Sequence, residues 1–124
     1  MEQSPNKMPP QAQQMIGKLQ QQQQQLQQME EQKMELRAHK MQIDRAIEAL
    51  EETDDGEDVF KVVGPAVIKT EKGNFLEDLK ETQETLEIKL DSIDKKEGKI
   101  EEDAKKNQEK LRDLMSGGDS GEAG

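Results

Sequence analysis

Few residues in this sequence are suited to making or breaking bonds. Its single histidine, His39, sits beside Lys40 in a helical pattern and reads as a solvated helix residue. Asp54, Asp55, Glu57 and Asp58 cluster around Gly56. They can attract a cation weakly, but they lack the alternating ligand spacing of a structured loop such as an EF-hand. There is no cysteine, hence no disulfide framework and no thiolate nucleophile. No glycine motif of the kind that cradles phosphate is present. The expectation is no catalytic residue, no metal site, no cofactor and no enzymatic activity. The abundant Asp and Glu residues read as solubilising charge on helix surfaces.

What remains is apolar chemistry, and it centres on Val59 to Thr70, VFKVVGPAVIKT. This is the one stretch that reads as β structure. Two runs rich in β-branched residues flank Gly64-Pro65, which is a hairpin signal. Gly64 can take the positive φ that a type II′ turn needs first, and Pro65 brings a fixed φ. If Val63 pairs with Ala66, one face carries Val59, Lys61, Val63, Ala66, Ile68 and Thr70. The other carries Phe60, Val62, Val67 and Lys69. Both faces are mainly apolar. A lone two-stranded hairpin is marginal in water and has two open edges. The chain offers no third strand, so other copies or related subunits are expected to supply the missing ones. Val59, Phe60, Val62, Val63, Val67 and Ile68 are the candidate oligomerisation residues.

Composition limits what can surround this hairpin. The 124 residues suffice for one domain, but 37% are charged, 30% are hydrophobic, and aromatics amount to two Phe. Such a chain cannot fill an ordinary globular core; it suits disorder or a long solvated helical structure. Periodicity decides for helices. Before the hairpin, Ala12, Leu19, Leu26, Lys33, Lys40 and Ile47 alternate with Met15, Gln22, Met29, Leu36, Ile43 and Leu50. After it, Leu76, Gln83, Leu90, Glu97, Ala104 and Leu111 alternate with Leu79, Leu86, Ile93, Ile100, Asn107 and Leu114. This 3.5-residue repeat predicts a left-handed coiled coil. It passes straight through the glutamine run at 20–28, which therefore reads as a solvated helix surface.

The elements follow from these patterns. A flexible N-terminus at 1–9 precedes a helix at 10–52, in which Pro10 suits the first turn. An acidic turn at 53–58 leads to the hairpin at 59–70. Asn74 reads as the N-cap of a helix at 74–115, with Glu77 completing a capping box. A disordered tail at 116–124 ends the chain. The fold class is mainly α: a long antiparallel two-helix coiled coil with one β-hairpin at its bend, all in a single domain at 10–115. Leu50 faces Leu76, Ile47 faces Leu79, Leu36 faces Leu90, and Leu26 faces Ile100. Met15 and Leu111 close the far end with Ala12 and Leu114. In that register Gln22 and Asn107 fall in adjacent layers, as do Lys33 and Glu97. Polar seam residues of this kind fix register at some cost in stability.

The helix–hairpin–helix order, the VFKVVGPAVIKT hairpin, the run Glu84-Thr85-Leu86-Glu87-Ile88 and the opening Met8-Pro9-Pro10-Gln11-Ala12-Gln13 together resemble the β-class subunits of archaeal prefoldin. The likeness covers about residues 8–115. The resemblance implies a heterohexamer of two α-class and four β-class subunits whose hairpins close into β-barrels, with coiled coils hanging from them. It implies an ATP-independent chaperone that holds unfolded polypeptides at the coiled-coil tips and passes them to a group II chaperonin. The tip residues are then Met8, Met15, Ile16, Leu19, Leu111, Leu114 and Met115. Methionine is flexible and polarisable and suits a surface that must accept many shapes. A net charge of −10 argues against non-specific binding to nucleic acid and against an anionic membrane. No apolar run approaches a membrane span, and the N-terminus lacks the apolar core of a signal peptide, so a cytoplasmic location is expected. The competing reading is a structural coiled-coil adaptor that holds two partners apart. The half-finished β-sheet speaks against it, since a spacer does not need one.

Overall fold

In a two-helix seam every third or fourth side chain must leave water, and that pattern fixes the helices here. The computed structural model describes residues 8–123. Helix α1 spans Pro10–Glu52, strands β1 and β2 span Val59–Val63 and Ala66–Thr70, and helix α2 spans Lys72–Ala123. All the heptad positions named above are buried or half-buried, while most residues between them are exposed. The expected flexibility of 1–9 falls largely on residues 1–7, outside the described residues.

The described chain packs as two compact units. One is Gln32–Ile93; among the described residues the other joins 8–31 to 94–123. Within Gln32–Ile93, Lys80 reaches Glu51 at 3.6 Å, Gln83 reaches Asp44 at 2.6 Å, and Lys40 lies 3.8 Å from Glu87. Numbers rise on one helix as they fall on the other, so the pairing is antiparallel. The second unit shows the same sense, with Gln22 bonded to Asp103 and Asn107.

The hairpin register runs Val59↔Thr70, Phe60↔Lys69, Lys61↔Ile68, Val62↔Val67 and Val63↔Ala66. Gly64 has φ +57°, which an L side chain rarely adopts, and this positive φ begins the two-residue turn. The sheet has two strands only among the described residues, and so two open edges.

The acidic turn is a built connector. Thr53 ends α1 twice over: its N–H donates to the Leu50 carbonyl at 3.1 Å, and its hydroxyl to the Ala49 carbonyl at 2.9 Å. The Glu57 N–H then closes a β-turn onto the Asp54 carbonyl, and the Glu57 carboxylate accepts from the Asp54 N–H.

Helix α2 departs from the expected bounds at both ends. It begins at Lys72, and the Phe75 N–H donates to the Glu71 carbonyl at 3.0 Å. Asn74 therefore lies inside the first turn and caps nothing. The Lys72 ammonium supplies a tie instead, donating to the Thr53 carbonyl at 2.6 Å and to Asp55 at 3.1 Å. At the other end the helical backbone continues beyond 115 to Ala123. The Ser116 hydroxyl donates to the Arg112 carbonyl, a bond compatible with continued helix, and glycine weakens a helix without forbidding it.

Candidate functional site

Two apolar surfaces stand out, one in each unit. In Gln32–Ile93 it is the hairpin. Val59 is buried, and Lys61 on the same face is half-buried and 3.9 Å from Asp78. The opposite face is open: Val62 and Val67, paired across the strands, are 75% and 67% exposed. Phe60, Val63 and Ile68 are also exposed. Of the six hairpin residues singled out in the sequence, five therefore present apolar surface to solvent, and Val59 does not. Monomers rarely leave such a continuous patch uncovered, and here it adjoins unpaired strand edges.

In the other unit the apolar residues meet at the chain's free ends. Ala12 is buried; Met8, Met15, Ile16, Leu19, Leu111 and Leu114 are half-buried; Met115 is exposed. They form two grooves beside the seam. Ile16, Leu19, Leu26, Ala104 and Leu111 floor one, with Gln20, Gln23, Glu101, Lys105 and Gln108 on its walls. Pro9, Met15 and Leu114 floor the other, walled by Gln11, Gln14, Lys18, Lys110 and Asp113. The heptad positions of the two linings differ, which puts the grooves on opposite sides of the helix pair. Pro9, Leu26, Ala104 and the polar walls were not singled out in the sequence. The available signal was Ile16, an apolar residue next to the seam. It widens the apolar stripe into a floor.

Polar layers sit within each seam. The Gln22 amide donates to Asp103 at 2.7 Å and accepts from Asn107 at 3.1 Å. Asp44 accepts from Gln83 at 2.6 Å and from Lys40 at 3.1 Å. These bonds hold the Asp44 carboxyl below the usual carboxylate range, Gln83 contributing most. The same contact with Asp44, then the charge of Glu87, raises Lys40 above an ordinary lysine. His39 is exposed. The turn carboxylates are engaged by cations, Asp55 with Lys72 at 3.1 Å and Asp58 with Lys69 at 3.2 Å. Among the described residues no group of three or more His, Cys, Asp or Glu is placed to hold a metal. No described helix is long and apolar enough to cross a membrane.

A zipped helix pair whose connecting β-hairpin carries an open apolar face and two unpaired edges among the described residues is the frame of a coiled-coil protein with one hairpin at its bend. The family model described as "Prefoldin subunit" matches residues 13–118, and the chain belongs to that family. It is similar to the prefoldin subunit beta of Thermococcus onnurineus, 37% identical over 87% of this chain and 93% of the relative. The prefoldin subunit beta of Methanocella arvoryzae is 41% identical over 89% of this chain and 87% of the relative. Among solved structures, the prefoldin beta subunit from Thermococcus strain KS-1 superposes with a TM-score of 0.80. That structure is 34% identical and covers 85% of this chain and 92% of its own.

Proposed function

We propose that this chain is a β-class subunit of an ATP-independent chaperone, cytoplasmic and heterohexameric, that holds unfolded polypeptides and passes them to a group II chaperonin. Family membership supports assembly with α-class subunits; the ratio of two of them to four of this class and the delivery step are what the sequence resemblance implies. The observation that carries client holding is the pair of open grooves at the free ends. Their floors are apolar, their walls are mainly flexible Gln and Lys with Glu101 and Asp113, Met15 floors one of them, and Met115 follows its Leu114 in the chain. Such surfaces bind exposed apolar side chains weakly and with little shape selection. They need no nucleotide, because burial of apolar area supplies the free energy.

Removing residues 1–16 together with 112–124 takes away Met8, Met15, Ile16, Leu114 and Met115 and leaves the hairpin whole. The shortened chain is expected to assemble with an α-class subunit to the mass of the parent complex less the deleted residues. It is also expected to suppress aggregation of a denatured test protein without ATP less well, because the groove floored by Pro9, Met15 and Leu114 is removed while the other loses only Ile16. Full protection by an assembled, shortened complex would refute tip binding.

A further inference from the structure

The two grooves at the free ends differ in charge. Beside the groove that runs over Leu19 and Leu111, the charged wall residues are Glu101 and Lys105, four residues apart on α2 and opposite in sign. The groove floored by Pro9, Met15 and Leu114 has a cation on each helix, Lys18 on α1 and Lys110 on α2, against the single carboxylate of Asp113. Lys18 precedes the seam residue Leu19 as Lys110 precedes Leu111, so both flank the seam on one side. Gln22 bonds Asp103 and Asn107, and counting outwards along both helices from that contact sets Lys18 beside the level of Lys110.

Both lysines are exposed, and among the described residues neither is held in an ion pair. The chain carries a net charge of −10, yet residues 8–19 and 110–115 hold Lys18, Lys110 and Arg112 against Asp113 alone. Two ammoniums at one level across an apolar floor repel each other mildly. An anion seated between them is attracted by both. The groove encloses about 840 Å³, within the range of sites that take a drug-sized ligand, so it admits an apolar side chain together with its chain neighbours.

We propose that this groove selects client segments in which a large apolar side chain stands beside Asp or Glu. The apolar side chain occupies the floor of Pro9, Met15 and Leu114, and the carboxylate sits between the Lys18 and Lys110 ammoniums at the rim. The inference rests on the client holding of the proposed function and adds which chains are held. Apolar burial still supplies most of the affinity. Exposed charge pairs discriminate more than they hold, and salt screens them. The sign of the effect is diagnostic: the field of a chain at −10 favours a cationic peptide, whereas this groove favours an anionic one.

Three end-capped peptides of equal length test this. They share a central Leu-Phe-Leu and carry two Glu, two Gln or two Lys beside it. Fluorescence anisotropy reads their binding to the full chain assembled with an α-class subunit. The Glu peptide is expected to bind about three- to tenfold more tightly than the Lys peptide at low salt, with the Gln peptide between, and the three to converge at high salt. Lys18→Glu with Lys110→Glu should reverse the order, and Lys18→Gln with Lys110→Gln should level it. Arg37→Glu with Arg45→Glu makes the same change of charge at exposed positions outside both groove linings and should leave the order as in the parent. Equal binding of the three peptides at low salt, or an order that survives both lysine variants, overturns the selection and leaves client holding intact. An order lost equally in the arginine variant overturns it too, because the long-range field then decides. A preference that appears only after residues 117–124 are removed makes the chain's own acidic tail, with Asp119 and Glu122, the occupant, and the proposal fails. If no peptide binds a complex of the expected mass, the holding reading fails and this inference with it.

Discussion

Residues at the seam divide into those that exclude water and those that set alignment. Lys40, Asp44 and Gln83 belong to the second kind, and their bonds give a signed dependence on pH. Asp44 is held below its ordinary 3.8, so its contribution is complete above that value and disappears as pH falls through the lower folded value. Lys40 is raised above 10.5, so its contribution is complete below 10.5 and disappears as pH rises through the higher folded value. Asp44→Ala removes the first and the larger part of the second, leaving Lys40 only its contact with Glu87. The difference in melting temperature between parent and variant should therefore be constant across the neutral range and narrow at both extremes. Melting curves from acid to alkaline pH check this, and a difference that peaks or vanishes near neutrality would refute it. The heptad revealed Gln22, Lys40, Gln83 and Asn107 as intruders, because an apolar position held by a polar residue is visible in a string of letters. Their partners Asp44, Glu87 and Asp103 were not visible. Those lie beside the seam and are recruited by side-chain reach across two helices, which the repeat does not encode.

Elements were legible where one local rule dominated. The hairpin register followed from Gly64-Pro65 and two β-branched runs, and Val62 and Val67 pair across it. The start of α2 was not legible, since Asn74 and Glu77 obey the local capping rule while a long-range contact decides. Lys72 places a cation in the first turn of a helix, where the backbone dipole disfavours it. It gains the Thr53 carbonyl and Asp55 in exchange, and its side chain is only 18% exposed. Lys72→Met keeps most of the apolar stem and removes both bonds. A net hydrogen bond is worth about 1 kcal/mol, and the exposed Asp55 partner adds little. Chemical unfolding of the full chain should show a loss of about 1 kcal/mol, with the acidic turn and hairpin exchanging amide hydrogens faster than the distal helices. Unchanged exchange in the turn would mean that water satisfies Thr53 equally well.

The molecule as a whole places its apolar surface at sites that gain from multiplicity. If client chains bind as proposed, a groove at one pair of free ends is small and its hold on one of them would be weak. Several such grooves linked through one assembled base would act together, since linkage raises avidity by roughly 10² to 10⁴ without any new contact. Val62→Asp with Val67→Asp tests this coupling without touching the ends. Both side chains already face solvent, so the substitution adds charge to an open surface and disturbs no core of the isolated chain. Helical content should stay near that of the parent by circular dichroism. Sedimentation with an α-class subunit should show loss of the complex, because each new contact between hairpins would bury unpaired carboxylates. Protection of a denatured client should fall by one to several orders of magnitude in the concentration required, although every groove residue is intact. Should the variant protect clients at the parent's concentration while sedimenting as a single chain, holding is a property of one helix pair, and assembly serves another purpose.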